Sequence, residues 1–229
     1  PLLDKELVRS RPMLFVAESR AGRHGIPFRT SGTTGIPIEI FHDRRSLLAN
    51  ISYGERERAP FIEICGGAFR PKELYVGYDT STFKTVTSFY RENVLFPVSP
   101  RRRFVSFLEP MAKVVEIMNE EEPDILVGYG GWISLFFRTA AAMKMDLKLP
   151  RMVMYMGEAL PHGAREYIEG KHGIPVMSRY NAVEAFKIGF YCQHLRGFHI
   201  HEDLCHLRVV GPCGKTLPAG ETGEVVVTP

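Results

Sequence analysis

Residues 29–37 read Arg-Thr-Ser-Gly-Thr-Thr-Gly-Ile-Pro, a short stretch with two glycines and four hydroxyls. Gly32 and Gly35 permit positive φ and close backbone approach, so several N–H groups can aim at one anion. The hydroxyls of Thr30, Ser31, Thr33 and Thr34 add neutral donors, and the combination suits a polyphosphate. The plainer reading is a hydroxyl-rich hairpin turn. The G-x-x-x-x-G-K-[ST] spacing and its lysine are absent, so this is not the usual P-loop.

Other segments carry weaker signals. Gly128-Tyr129-Gly130-Gly131-Trp132 joins an apolar run to a helical pattern, a junction where a ligand could sit; Trp132 reads equally well as a core aromatic. The glycine spacing is an incomplete G-x-G-x-x-G. Cys192, His194, His199, His201, Cys205, His206 and Cys213 form a Cys/His-rich stretch. Zinc needs four converging ligands, and Cys192, His199, His201 and Cys205 are the candidates, with His199 and His201 expected on one strand face. The alternative is scattered core cysteines and loop histidines. Arg101-Arg102-Arg103 reads as a solvated loop run or as a dock for a ligand's phosphates, and Glu120-Glu121-Glu122 as a solvated helix end. Neither G-x-S-x-G nor H-E-x-x-H occurs, which argues against a hydrolase.

The elements that must position these residues alternate between short apolar runs and amphipathic stretches. Asp43 caps a predicted helix over 44–58, and helices are also expected over 111–119, 133–145 and 164–171, the last bounded by Gly173. Strands are expected over 73–78, 124–127, 151–156 and 175–177, then over 187–192, 198–202, 205–210 and 224–227. Asn181 is a residue type that tolerates a left-handed backbone. This predicts an α/β core over 1–184 with mostly parallel sheet flanked by helices, and a β-rich stretch over 185–229 of the same core. The 229 residues suffice for a hydrophobic core. Hydrophobic residues are 45% and charged residues 24%, ordinary globular usage that excludes disorder and collagen. A net charge of +3 is too balanced for a dedicated nucleic-acid binder. No apolar run is long enough for a membrane helix, and no signal peptide is expected at the N-terminus. Four cysteines in a chain this long make no disulfide framework, so a reduced, cytoplasmic protein is expected. A homodimer stays open.

Four strings in order bring a family into view. Residues 30–37 resemble the phosphate loop of the adenylate-forming (acyl-AMP) enzymes, [ST]-S-G-[ST]-T-G-x-P, and are closest to its phenylacetate–coenzyme A ligase branch. Gly157-Glu158-Ala159-Leu160 is similar to that branch's G-[AG]-E-[PA]-L, Tyr180-Asn181-Ala182-Val183-Glu184 stands where the family has Y-G-x-T-E, and residues 197–228 resemble GLHxxED…LPxGExGExVxT. The resemblance implies the N-terminal core fold of that family. It implies that Thr30, Ser31, Gly32, Thr33, Thr34 and Gly35 cradle the phosphates of ATP, with Thr33, Thr34 and Glu184 as the catalytic set. Glu184 is expected to hold Mg²⁺. Tyr180, Asn181, Gly157, Glu158 and Ala159 are expected to bind the nucleotide, and Tyr129, Gly130, Gly131 and Trp132 an aryl or bulky acyl acid. The implied reaction is ATP-dependent formation of acyl-AMP and transfer of the acyl group to coenzyme A.

Three departures qualify that reading, one being Asn181 in place of the family's glycine. Ile36 and Ile38 flank Pro37 where the family often has a lysine, and Val183 replaces a threonine, losing a donor to the α-phosphate worth about 1.5–3 kcal/mol. They keep open a nucleotide-binding module of the same fold without ligase activity. Carboxylate activation within a reductase or polysaccharide-modifying system also stays open. The chain begins at Pro1 and stops at Pro229, short of the family's hinge and of the small mobile domain with its catalytic lysine. A truncated core that binds ATP and turns over poorly alone is therefore the expectation.

Overall fold

The computed structural model describes residues 3, 5–18, 25–30, 37–79, 81–93, 101–192 and 197–229. The chain forms two units, Pro1–Tyr53 with Ala182–Ile188 and Ile200–Pro229, and Gly54–Asn181 with Gly189–His199.

In the first unit, β1 (Ile26–Arg29) and β2 (Glu39–His42) form an antiparallel hairpin with Ile26 opposite His42 and Arg29 opposite Glu39. The flanks of the Gly/Thr loop are thus paired strands; residues 31–36, the body of the loop, lie outside the described ones. A short helix α1 (Lys5–Ser10) precedes the hairpin. Helix α2 (Arg44–Ile64) begins on the predicted cap, where the Ser46 N–H and Oγ–H donate to Asp43 Oδ1 at 2.7 and 2.8 Å.

The second unit is built on strand–helix–strand units. β3 (Lys72–Gly77), α3 (Thr82–Asn93), β4 (Arg101–Ser106), α4 (Met111–Glu121), β5 (Ile125–Gly128), α5 (Gly130–Ala142), β6 (Met152–Tyr155), α6 (Ala164–His172) and β7 (Val176–Ala182) follow in order, then β8 (Phe186–Cys192) and β9 (Gly197–Ile200). The sheet order is β4-β3-β5-β6-β7-β8-β9, and the pairings from β4 through β7 are parallel. Successive side chains of a strand face opposite ways. Leu74, Val76, Leu126, Val153 and Val176 accordingly pack with Val114, Met118, Ile133, Phe136, Phe137 and Ile168 of α4–α6. Tyr75, Ile125, Val127, Met152, Met154 and Met177 pack with Phe61 and Cys65 instead. Both faces are covered, which is why these strands are apolar runs rather than alternating ones.

Two further strands, β10 (His206–Val210) and β11 (Glu224–Thr228), pair antiparallel in the first unit. There Ala185, Ile188 and Cys205 form a small core with Ala182, Ile200, Leu207 and Val227. Among the described residues no helix is long and apolar enough to cross a membrane.

Several expected elements change. Helix α2 runs through Pro60 to Ile64 rather than stopping at residue 58. The lost Pro60 donor is offset by burial of Phe61 and Cys65 in the turns that follow. Helix α5 starts at Gly130, three residues early, and ends at Ala142, because Lys144 takes φ +51. The strand expected over 175–177 continues to Ala182 with Asn181 extended within it, and the left-handed residue of this segment is Phe186, at φ +55. Arg101-Arg102-Arg103 is not a loop run but the start of β4.

Candidate functional site

In the second unit the chain leaves β3 toward β4 and then returns to pair β5 on the other side. Such a switch opens a crevice at the carboxyl ends of the strands, where open α/β sheets bind ligands. Tyr78 follows β3, Phe107 follows β4 and Tyr129 follows β5. The Tyr78 ring lies edge-on to Phe107 at 4.2 Å and to Tyr129 at 5.6 Å between centroids. Tyr78 is 50% exposed, so an aromatic face stands open at the crevice. Tyr78 and Phe107 escape a sequence reading because their neighbourhood depends on strand order.

Below this rim the Tyr129 and Tyr75 hydroxyls share a hydrogen bond. Burial pushes both phenols above the ordinary tyrosine range, Tyr129 with added repulsion from Tyr75, Tyr78 and Glu158. The folded chain therefore holds these protons at pH values where the unfolded chain releases them. Stability should fall as pH rises past about 10, where the unfolded chain's tyrosines begin to release their protons. Tyr129→Phe should reduce that slope in alkaline urea titrations; an unchanged slope would contradict the burial argument.

The loops after β5 and β6 interlock. Gly157 has φ +83, and a Cβ there would sit 2.8 Å from the Tyr129 ring. A Cβ on Gly130 would sit 2.4 Å from the Ala159 carbonyl oxygen. The Gly131 N–H donates to Glu158 Oε1 at 2.7 Å. Glu158, in the loop after β6, thus serves the N-terminus of α5, the helix that follows the neighbouring strand β5. Gly130 is thereby explained by backbone approach, and Gly131 by the Glu158 side chain that lies against it. Trp132 stacks on Phe136 at 5.0 Å and packs against the apolar core.

Tyr180 lies near the end of β7, 37% exposed and edge-on to Phe198 at 5.9 Å. Arg179 beside it is buried with Glu57, Nε to Oε1 at 2.9 Å, and lies over the Phe61 ring at 5.3 Å. Burial opposes the Arg179 charge, but the carboxylates of Glu57 and Glu73 outweigh it and hold the guanidinium above its ordinary pKa. In the same unit Arg102 Nε donates to Glu73 Oε2 at 2.7 Å. The middle arginine of the basic run is therefore committed to an internal ion pair, and the run lies at the start of β4, away from Ser106 and Phe107 at its carboxyl end.

In the first unit the base of the Gly/Thr loop is closed twice. The Thr30 N–H donates to the Ile38 carbonyl at 3.0 Å, and the Ile38 N–H donates to Thr30 Oγ1 at 2.9 Å. Ser31, Gly32, Thr33, Thr34 and Gly35 lie outside the described residues. Glu184 is exposed in the turn after β7 and makes no hydrogen bond or ion pair among the described residues. His42 Nε2 donates to the Val183 carbonyl in that turn at 2.7 Å. Burial lowers the His42 pKa against the opposing pull of that carbonyl and of the Asp43 and Glu184 carboxylates.

The Cys/His stretch is divided. His199 belongs to the second unit and stacks on Phe190 at 5.1 Å, whereas His201 and Cys205 belong to the first. β9 ends at Ile200, so His201 does not share its strand face with His199; it opens a turn whose Cys205 Sγ–H donates to the His201 carbonyl at 3.7 Å. Among the described residues no group of three or more His, Cys, Asp or Glu could hold a metal ion, and the Cys192 side chain lies outside them.

No protein-family model matches the sequence, and no curated protein matches it either. Solved structures do match. A 2-hydroxyisobutyryl-CoA ligase in complex with 2-HIB-AMP and CoA is similar at TM-score 0.70 and 16% identity, over 100% of this chain and 50% of that one. An anthranilate CoA ligase in complex with anthranoyl-AMP is similar at 0.63 and 19%, over 88% and 38%. An O-succinylbenzoate coenzyme A synthetase from Bacillus subtilis in complex with AMP is similar at 0.60 and 15%, over 88% and 40%. The chain has the fold of adenylate-forming enzymes and spans 38–50% of the length of these structures.

Proposed function

We propose that this chain is the nucleotide- and acid-binding core of an enzyme that activates a carboxylic acid as acyl-AMP for transfer to coenzyme A, in the phenylacetate–coenzyme A ligase-like branch. The observation that carries the reading is the placing of Tyr129 and Gly157-Glu158-Ala159 at the carboxyl-end switch of a sheet with this fold. A carboxylate is a poor electrophile. Its oxygen attacks the α-phosphorus of ATP, the bond from that phosphorus to the bridging oxygen of pyrophosphate breaks, and the mixed anhydride forms. A thiolate then attacks the acyl carbon and AMP departs. Little covalent work falls to side chains, and catalysis is positioning with charge stabilisation.

Each residue has a bounded task. Thr30 holds the base of the phosphate loop, whose Ser31, Gly32, Thr33, Thr34 and Gly35 supply donors. The backbone of Gly157–Ala159, with Tyr180 and Asn181, offers the nucleotide a slot. Tyr129 and the open face of Tyr78 favour an aryl or bulky acyl group over a small one. Glu184 fits Mg²⁺: hard cations take carboxylate oxygens while keeping several waters, and this carboxylate is exposed and uncommitted among the described residues. Bound there, the ion would neutralise phosphate charge.

ATP–pyrophosphate exchange with a panel of aryl and aliphatic acids tests the reading. Exchange above background with any acid, larger for aryl acids and reduced by Tyr78→Ala, is the expected result. ATP binding without exchange for any acid would favour the nucleotide-binding module, to which Ile36 and Val183 already point. No ATP binding at all would overturn both.

A further inference from the structure

We infer that His42 is a positioning residue that sets the Glu184 carboxylate through the Val183 peptide; this deepens the proposed function and rests on Glu184 serving a magnesium nucleotide. A carbonyl only accepts, so the 2.7 Å contact requires the His42 proton on Nε2. The Val183 carbonyl shares its rigid plane with the N–H and Cα of Glu184. Fixing the direction of that oxygen therefore fixes where the Glu184 side chain begins.

The other side of the turn is held by the same ring. Phe186 adopts φ +55, a conformation that costs a non-glycine residue of order 1–3 kcal/mol and persists only when its surroundings over-determine it. Its ring lies on His42 with centroids 3.8 Å apart and an interplanar angle of 31°. Phe28 closes the group edge-on, 5.6 Å from each ring. The Ala185 N–H donates to the Ala182 carbonyl at 3.3 Å, so Glu184 sits between two clamped flanks. His42 is itself rigid: it ends the β2 ladder opposite Ile26, and the residue after it caps α2. A stacked aromatic would fill this space as well as an imidazole. The donor aimed at the peptide before Glu184 is what only the histidine supplies.

Three substitutions separate donor from packing. His42→Phe keeps a ring on Phe186 and removes the donor. His42→Gln places an amide nitrogen at the reach of Nε2, whereas His42→Asn stops one carbon short. Amide hydrogen exchange at Ala185 reads the turn without reference to function. It should quicken about tenfold, the factor that about 1.4 kcal/mol represents, in His42→Phe and His42→Asn, and return near the parent rate in His42→Gln. The Mg²⁺ concentration needed for half-maximal ATP binding should rise by a similar factor in the same two variants. Adding His42→Phe to Glu184→Gln should change that value no further. Parent-like exchange in both Phe and Asn variants, equal behaviour of Asn and Gln, or additivity with Glu184→Gln would overturn the inference. Absence of Mg²⁺-dependent ATP binding in the parent chain would overturn the functional reading instead, while the exchange rates still report on the turn.

Discussion

Glu57→Gln is expected to lower the melting temperature by about 6–20 °C, the shift that roughly 3–5 kcal/mol produces in a chain of this size. Both partners of the Glu57–Arg179 pair are nearly sealed from water, with side-chain exposures of 4% and 11%. Removing the carboxylate leaves a guanidinium that cannot shed its proton at any ordinary pH and has too little solvent to replace its partner. Glu73 also favours the Arg179 charge, which softens the loss without supplying a contact. Replacing both residues, as Glu57→Gln with Arg179→Met, should recover part of the stability, because it removes the buried charge that Glu57→Gln alone leaves unpaired, while the glutamine amide stays buried. Circular-dichroism melts of the two single variants and the double variant form the cycle. A single variant melting within about 2 °C of the parent would show that the pair is hydrated after all. Arg179 immediately precedes Tyr180, so under the proposed function the same variant should also weaken nucleotide binding through the end of β7.

Gly130→Ala is expected to cost about 2–3 kcal/mol and, under the proposed function, to abolish ATP binding. The added Cβ would meet the Ala159 carbonyl at 2.4 and 2.6 Å and the Leu160 nitrogen at 2.7 Å, all backbone atoms. Backbone cannot swing aside as a side-chain tip can, so the loop after β6 must move away from the head of α5. That movement breaks the Gly131–Glu158 hydrogen bond and displaces the proposed nucleotide slot. Gly131→Ala meets only Glu158 Oε1, the far end of a flexible side chain, at 2.8 Å, and should cost less. Gly170→Ala meets nothing within 4 Å inside α6 and should be neutral or stabilising by about 0.4–1 kcal/mol. Urea titration orders the three. A Gly131→Ala cost equal to that of Gly130→Ala would sink the interlocking-loop account.

Much of the fold was legible along the chain because its causes are local. The Asp43 cap, the Gly173 stop with φ +68 and the doubly apolar strands all follow from residues within a turn or two of one another. The same locality misled where a distant surface decided. Pro60 would end an isolated helix, but Phe61 and Cys65 find the sheet; the three arginines resemble a loop run, but Arg102 meets Glu73, 29 residues away.

By itself the sequence determined the chemistry this chain carries: a glycine- and hydroxyl-rich loop, a carboxylate in the turn after β7, and a Gly-Tyr-Gly-Gly junction, in an order that pointed to one fold. Tertiary structure alone decided which residues share a site. The switch between β4, β3 and β5 brought Tyr78, Phe107 and Tyr129 to one crevice, folding set Glu158 on a helix 27 residues earlier, and His42 reached Val183 across 141 residues. Propensity and periodicity describe a residue and its next turn, whereas these contacts depend on strand order and loop approach, which no local pattern encodes.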